Sequence, residues 1–209
     1  MVVRLPAARR RDGQRLNPGT RLPATEITPV FRSDGSGDTY AFSDFLSKVS
    51  PVWKRTKGVS TSIRFPTGAG ARGNAGVSAC LGRNDGAMGY LGISYVRGGH
   101  LDSALVQNAA GKFPVPGIPS SEAAAKSLMS VPADNAISIT NPPASAPGAY
   151  PISTFTYAIV PKSSPNAAAL RAFLTYAVTT GQKFGPPLEF APLPAKVLDA
   201  NRATIAKIG

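Results

Sequence analysis

Residues 27–49 read ITPVFRSDGSGDTYAFSDFLSKV. The first five, ITPVF, have the apolar and β-branched character of a short strand. The next eight, RSDGSGDT (32–39), are polar, carry two glycines and end in residues that favour helix caps, so they read as a loop. From Thr39 onward Phe42, Phe45, Leu46 and Val49 recur at helical spacing and predict a helix over 39–49. A strand, a loop of small residues and a helix in direct succession is the unit from which α/β sheets are built.

Outward from this unit the same alternation continues. A second strand is expected around Ser60–Phe65. It is followed by a glycine-rich loop over 68–76 and a short helix through Ser78 and Leu81. Residues 87–97, AMGYLGISYVR, read as a strand, a turn at Gly92 and another apolar run. Residues 120–130 predict a helix capped by Ser120 or Ser121, and 136–140 a short strand. Residues 141–149, NPPASAPGA, have the composition of a linker. Residues 152–160, ISTFTYAIV, carry the strongest strand pattern in the chain, and 166–179 the strongest helix pattern, stopped near Gly181. A last helix is expected from Pro194 to Ile208. The expected class is α/β.

Composition narrows the function. The 209 residues include 21 Gly and 20 Pro, too much punctuation for a helical bundle. One cysteine, Cys80, excludes an internal disulfide framework, and it reads as a small buried hydrophobe in VSACLG. One histidine, His100, excludes a multi-histidine metal site and leaves any histidine-based triad a single candidate. No metal or cofactor is expected. No run of 18 apolar residues is present, so no membrane-spanning helix is expected.

The formal charge is +12, from 23 basic and 11 acidic residues. Such a surface favours anionic partners. Seven of the basic residues, Arg4, Arg9, Arg10, Arg11, Arg15, Arg21 and Arg32, lie in the first 32 positions. Residues 1–25 therefore read as a basic, irregular leader, either a terminus of no defined structure or an arm for nucleic acid. Aromatic residues are 8% of the chain and do not interleave with basic ones, which argues against a base-stacking platform.

The loop at 32–39 is the candidate site. A helix N-terminus leaves backbone N–H groups without partners, and small residues before it let an oxyanion come close. Ser36 and Thr39 can add hydroxyl donors, and Arg32 a planar fork of permanent charge. Asp34 and Asp38 do not fit a simple anion site. Either they bond loop N–H groups and cap the helix, or one of them accepts the hydrogen of a protonated oxyanion. The whole loop is equally readable as a serine or aspartate turn that caps a helix. No Gly-Lys-Ser or Gly-Lys-Thr follows, so ATP hydrolysis is not supported. Gly68-Ala69-Gly70-Ala71-Arg72-Gly73 matches the dinucleotide fingerprint letter for letter. Pro66 before it and the lack of a well-spaced acidic residue after it argue for a tight turn instead.

Taken together, ITPVFRSDGSGDTYAFSDFLSKVSPVW, FPTGAGARGNAGV, NDGAMGYLGISYV, AYPISTFTYAIV and RAFLTYAVTTGQKFGPPLEFAPLPAKV resemble, in this order, the periplasmic phosphate-binding (PstS) family of bacterial phosphate ABC transporters. The resemblance covers residues 16–209. It implies a two-lobed periplasmic-binding-protein type II fold, a non-enzymatic role, inorganic phosphate as ligand, and an ABC permease complex as partner. It places the family's loop arginine at Arg32. Its serine and glycine donors fall at Ser36 and Gly37. The threonine donor falls at the next position, where this chain has Asp38, with Thr39 following. Asp34 and Gly35 match the structural part of the loop.

Family members carry a signal peptide and a further N-terminal half-domain before this region. The resemblance thus implies a truncated fold. Residues 26–148 would form the second lobe with the anion loop, and 149–209 the return into an incomplete first lobe. A separately encoded N-terminal half is then a candidate partner, and apolar surface and strand edges are expected to stand open. The prefix MVVRLPAARRRDGQRL has no counterpart in the family and reads as a frameshifted or mis-started terminus. Location is periplasmic by resemblance, with cytoplasmic retention open because no signal peptide is evident. The alternatives are a nucleic-acid-binding module using Arg9–Arg11, and a fragment inactive without its other half.

Overall fold

The computed structural model describes residues 13–209; Arg4 and Arg9–Arg11 of the basic leader lie outside them, and of the described part, expected to be irregular, residues 13–16 are helical. The chain forms two compact units, one ending at Asp102 and one beginning at Ser103.

The first unit is an α/β layer. Its strands are β1 (Thr28–Arg32), β2 (Ala69–Ala71) and β3 (Ala87–Gly89), all parallel, in the order β2-β1-β3. Its helices are α1 (Gly37–Val49), α2 (Pro51–Thr56), α3 (Gly73–Arg83) and α4 (Ile93–Gly98). Val30 pairs with Ala69 on one side and with Gly89 on the other, so β1 is the central strand. Val30 is correspondingly buried, with Val77 of α3 and Ala41 and Phe45 of α1.

A proline in a central strand normally removes a ladder bond. Here Thr28 N–H donates to Gly86 O at 3.0 Å, so alternation along the strand turns the Pro29 nitrogen toward the β2 side. Pairing with β2 starts only at Val30, and no bond is lost.

The strand expected at 60–65 is irregular; β2 forms instead inside the glycine-rich segment. The reason is close approach. Gly68 has φ +106°, and a Cβ there would collide with the Pro29 carbonyl oxygen; a Cβ at Gly70 would stand 3.2 Å from Ser33 Cβ. Residues without side chains let this segment lie against β1, whereas bulky Ile63 and Phe65 turn into the core. Phe65 stacks on Phe31 with centroids 4.6 Å apart and touches Trp53 at 6.0 Å and Tyr90 at 6.3 Å.

Helix α1 begins two residues before its expected start. Its buried side chains are Thr39, Ala41, Ser43 and Phe45, and Val49 of the expected apolar stripe is exposed. Trp53 lies on the separate helix α2, capped by Ser50, and donates to Gly58 O at 3.0 Å. The apolar run that follows Gly92 forms helix α4. Cys80 is half-buried, and His100 stands exposed in a left-handed turn after α4.

The second unit contains α5 (Ile118–Lys126), α6 (Ala167–Ala177), two 3-10 turns (Thr180–Phe184 and Pro186–Leu188) and α7 (Ala195–Ile205). Helix α5 starts earlier than expected, with Gly117 at its cap and Pro119 in its first turn, while Ser120 Oγ donates to Val115 O at 2.7 Å. One buried cluster of this unit is Ala124, Ala125, Ile139 and Ala149, and Val197, Ile205 and Ile208 are buried as well. Buried Asn108 binds the cluster's loops, donating to Pro147 O and Ala149 O and accepting from Ala110 N and Lys112 N. The segments 136–140 and 152–160 have strand-like sequence but no ladder. A strand is defined by its neighbour; these segments share an apolar cluster through Ile137, Ile139 and Phe155, and the Tyr157 hydroxyl accepts from Ile137 N and donates to Ile137 O. Ile159 is 95% exposed. Among the described residues no helix is long and apolar enough to cross a membrane.

Gly68→Ala is expected to destabilise the first unit by more than about 1 kcal/mol, through both its φ and the collision with Pro29. Gly98→Ala, where a Cβ would meet nothing within 4 Å, is expected to be neutral or slightly stabilising. Urea unfolding midpoints of the two variants check this contrast.

Candidate functional site

The carboxyl end of the central strand β1 delivers Arg32 to the edge of the sheet, where open α/β sheets place ligands. Ser33 N–H donates to Ala71 O at 3.0 Å, which continues the β1–β2 pairing and sets the direction of the loop that follows. Ser36 closes the loop. Its N–H donates to Thr61 O at 2.8 Å, and its Oγ accepts from Asp38 N at 3.0 Å and Thr39 N at 3.4 Å as the N-cap of α1.

The Arg32 side chain is 11% exposed, and it is clamped. Its Nε donates to Asp34 Oδ1 at 2.8 Å and its Nη2 to Asp34 Oδ2 at 2.6 Å, a bidentate pair. Its Nη1 donates to Asp38 Oδ2 at 3.1 Å and lies 3.5 Å from Asn74 Oδ1. Asp34 Oδ1 also accepts from Gly73 N at 3.0 Å. Gly73 is the first residue of α3, at φ +67°, and the residue before it offers no side-chain cap. Asp34 therefore caps α3 from across the sheet edge. A carboxylate at that helix end is also favoured by the aligned peptide dipoles.

The charges respond to this geometry. The hydrogen bond from Arg32, and next the Gly73 N–H, hold the Asp34 carboxyl well below the usual carboxylate range. The same hydrogen bond raises Arg32, against the opposing effect of its burial.

Of the residues singled out from sequence, Arg32, Asp34, Gly35, Ser36, Gly37, Asp38 and Thr39 all lie at this one sheet edge. They do not all face open space. Thr39 is fully buried, and its hydroxyl is 2.8 Å from the Tyr90 hydroxyl. Ser36 Oγ accepts both cap bonds, and its O–H, 3.5 Å from Asp38 Oδ2, is not committed by them. Of the two hydroxyls expected as anion donors, only that of Thr39 is paired inside the protein. Asp38 is not the cap; it sits in the first turn of α1 against Arg32. Over Gly35 and Gly37 the space is open, since a Cβ at either would meet nothing within 4 Å.

Three participants escape the loop motif. Gly73 and Asn74 come from the glycine-rich segment, whose literal match to a nucleotide fingerprint hid its role in receiving Asp34. Tyr90 follows β3; its hydroxyl stands between Thr39 and the Arg32 N–H, 3.4 Å from the latter, and its ring stacks on Phe42 at 4.6 Å. Only the turn-like GYLG around it marked the position. Among the described residues no group of His, Cys, Asp and Glu is arranged to hold a metal ion.

With this geometry in view, the comparisons with known proteins are consistent. Residues 14–180 match the PBP superfamily domain. A phosphate-binding protein PstS of Xylella fastidiosa (strain Temecula1) is 38% identical over 186 residues, which are 87% of this chain and 50% of that protein. A phosphate-binding protein PstS of Pasteurella multocida is 33% identical over 193 residues, 90% of this chain and 56% of that one. The chain thus spans about half the length of the curated relatives it matches. Among solved structures, a high-affinity periplasmic phosphate-binding protein, PfluDING, superposes with a TM-score of 0.60 at 22% identity, over 86% of this chain and 57% of that one. That likeness establishes the α/β periplasmic-binding-protein type II fold.

Asp34→Asn is expected to lower the urea midpoint at neutral pH. Because the folded-state pKa is depressed, the stabilisation is fully present above the usual aspartate value of 3.8 and is lost as pH falls through the lower folded value. The gap between the two proteins should stay constant above about pH 5 and close below 3.8. Urea titrations across that range check the sign.

Proposed function

The chain belongs to the PBP superfamily, and we propose that within it this chain forms the phosphate-binding loop region of an ABC-type phosphate importer. The observation that carries the reading is the Arg32 guanidinium at the carboxyl end of β1, held by Asp34 beside the open space over Gly35 and Gly37. Relatives of 33–38% identity are named for phosphate binding, and the match runs through this segment.

The roles divide as follows. Arg32 supplies the fixed charge. Freezing an arginine side chain forfeits about 2 kcal/mol of rotamer entropy, and the Asp34 clamp takes that loss at folding rather than at binding. Gly37, and Gly35 before it, keep side chains away from the approach of an oxyanion to the start of α1. Ser36 fixes that helix end. Thr39 anchors it to Tyr90. Asp38 stands at the ligand edge and contacts Arg32 directly.

The function is binding, not catalysis. Residues 26–148 correspond in this reading to the lobe that holds the loop, and 149–209 to the return toward the other lobe. The remaining ligand groups come from the rest of that fold, whether in the same polypeptide or in a separately encoded half. Closure around phosphate would then present the ligand to an ABC permease in the periplasm. The ligand stabilises the closed form only through contacts that are better there. The nucleic-acid reading rests on Arg9–Arg11, outside the described residues, and no observation favours it.

The test is isothermal titration calorimetry of the chain with phosphate, with sulfate as control. The expected result is saturable 1:1 phosphate binding that Arg32→Ala reduces at least tenfold, about 1.4 kcal/mol. Unchanged affinity in a folded Arg32→Ala protein would remove Arg32 from the site.

A further inference from the structure

A guanidinium has five N–H donors. In Arg32, Nε and one N–H of Nη2 serve Asp34, and Nη1 faces Asp38 Oδ2 at 3.1 Å and Asn74 Oδ1 at 3.5 Å. One N–H, on Nη2, is left. The cluster of one cation and two carboxylates carries an excess negative charge. An anion arriving at this edge therefore meets a guanidinium whose charge is already more than balanced.

The two carboxylates are not equivalent. Asp34 is tied at both oxygens to Arg32 and also receives the Gly73 N–H of α3, so its removal would uncap a helix. Asp38 touches Arg32 through a single oxygen; its other contact is the Ser36 hydroxyl at 3.5 Å, beyond the usual reach of an O–H donor. Its side chain is 30% exposed, on the first turn of α1 beside Gly37. One side-chain rotation would free it into solvent and release Nη1.

We propose that Asp38 is a displaceable internal counter-anion, which phosphate must drive off Arg32 Nη1 in order to bind, and which thereby sets the affinity of the site. The inference rests on the proposed phosphate reading and goes beyond it by naming the residue that opposes binding. Asp38 sits in the first turn of α1, where negative charge favours the helix, so it favours folding while it competes with ligand. Affinity and stability should move in opposite directions when its charge is removed.

The experiment compares the full chain with Asp38→Asn, which keeps the shape and replaces the carboxylate by a neutral amide, and with Asp38→Thr, which leaves only a hydroxyl there. Phosphate affinity is read by calorimetry and stability by urea unfolding. The expected result is an affinity at least tenfold higher in both variants, with a lower urea midpoint and a steeper loss of affinity with added salt. Saturable binding by the unchanged chain that is equal or stronger than in the folded variants would overturn the counter-anion role and leave the phosphate reading standing. Absence of saturable heat from the chain and from both folded variants would overturn the phosphate reading itself, and the counter-anion role with it. Binding seen only in the variants would support both.

Discussion

Asp34 is the point on which the first unit turns. One carboxylate takes two N–H groups of Arg32 from the end of β1 and one backbone N–H from the start of α3. The end of the central strand, the loop and the third helix are thereby fixed by a single residue. Its oxygens are matched geometrically to a planar fork, which a lysine could not reproduce. Because the clamp lies at the sheet edge and not in the core, it orients a charge toward solvent without burying an unpaired one. The same contacts that depress the Asp34 carboxyl also rank it as a structural group, since a carboxylate so engaged has little left to offer a ligand.

Behind the clamp lies an aromatic cluster that transmits position to the loop. Phe31, Phe65, Trp53, Tyr90 and Phe42 meet in a chain of ring contacts between 4.6 and 6.3 Å. Each such pair contributes on the order of 0.5–1.5 kcal/mol beyond its buried area. Tyr90 is the member that matters for the site, because its ring belongs to the cluster while its hydroxyl meets Thr39 and the Arg32 backbone. A buried threonine hydroxyl without a partner would be costly; the tyrosine removes that cost and ties α1 to the segment after β3.

What could be read from sequence follows the range of the interactions involved. The cap of the loop and helix α1 depend on neighbours within a few residues, and the residues 27–49 contain them. Helices α3, α6 and α7 were legible for the same reason, the first around Ser78 and Leu81, the second by its pattern and the stop near Gly181, and the third by Pro194. Strands were not. A strand exists only where another backbone accepts it, so the convincing pattern of 152–160 formed no ladder while the featureless Ala69–Ala71 did. At the site, the residues of the motif were legible and their partners were not. Nothing local links Arg32 to Asn74 or Thr39 to Tyr90, and the pairing of the Thr39 hydroxyl appears only in three dimensions.

The abundance of small residues explains how much of this fold rests on polar contacts. One buried cluster of the second unit consists of three alanines and Ile139, and among the described residues the largest fully buried side chains are Val30, Val77, Thr39, Pro151 and Ser43. Burying a methyl group yields about 0.8 kcal/mol, so such a core gains little per residue compared with leucine or phenylalanine. A net hydrogen bond of about 1 kcal/mol is then as large as a core contact. This puts Asn108, with four bonds to loop backbone, on a par with the apolar residues around it. In a chain so rich in glycine and proline, specificity of structure lies in which polar groups find each other. A functional loop built on the same groups can exchange partners without disturbing an apolar core.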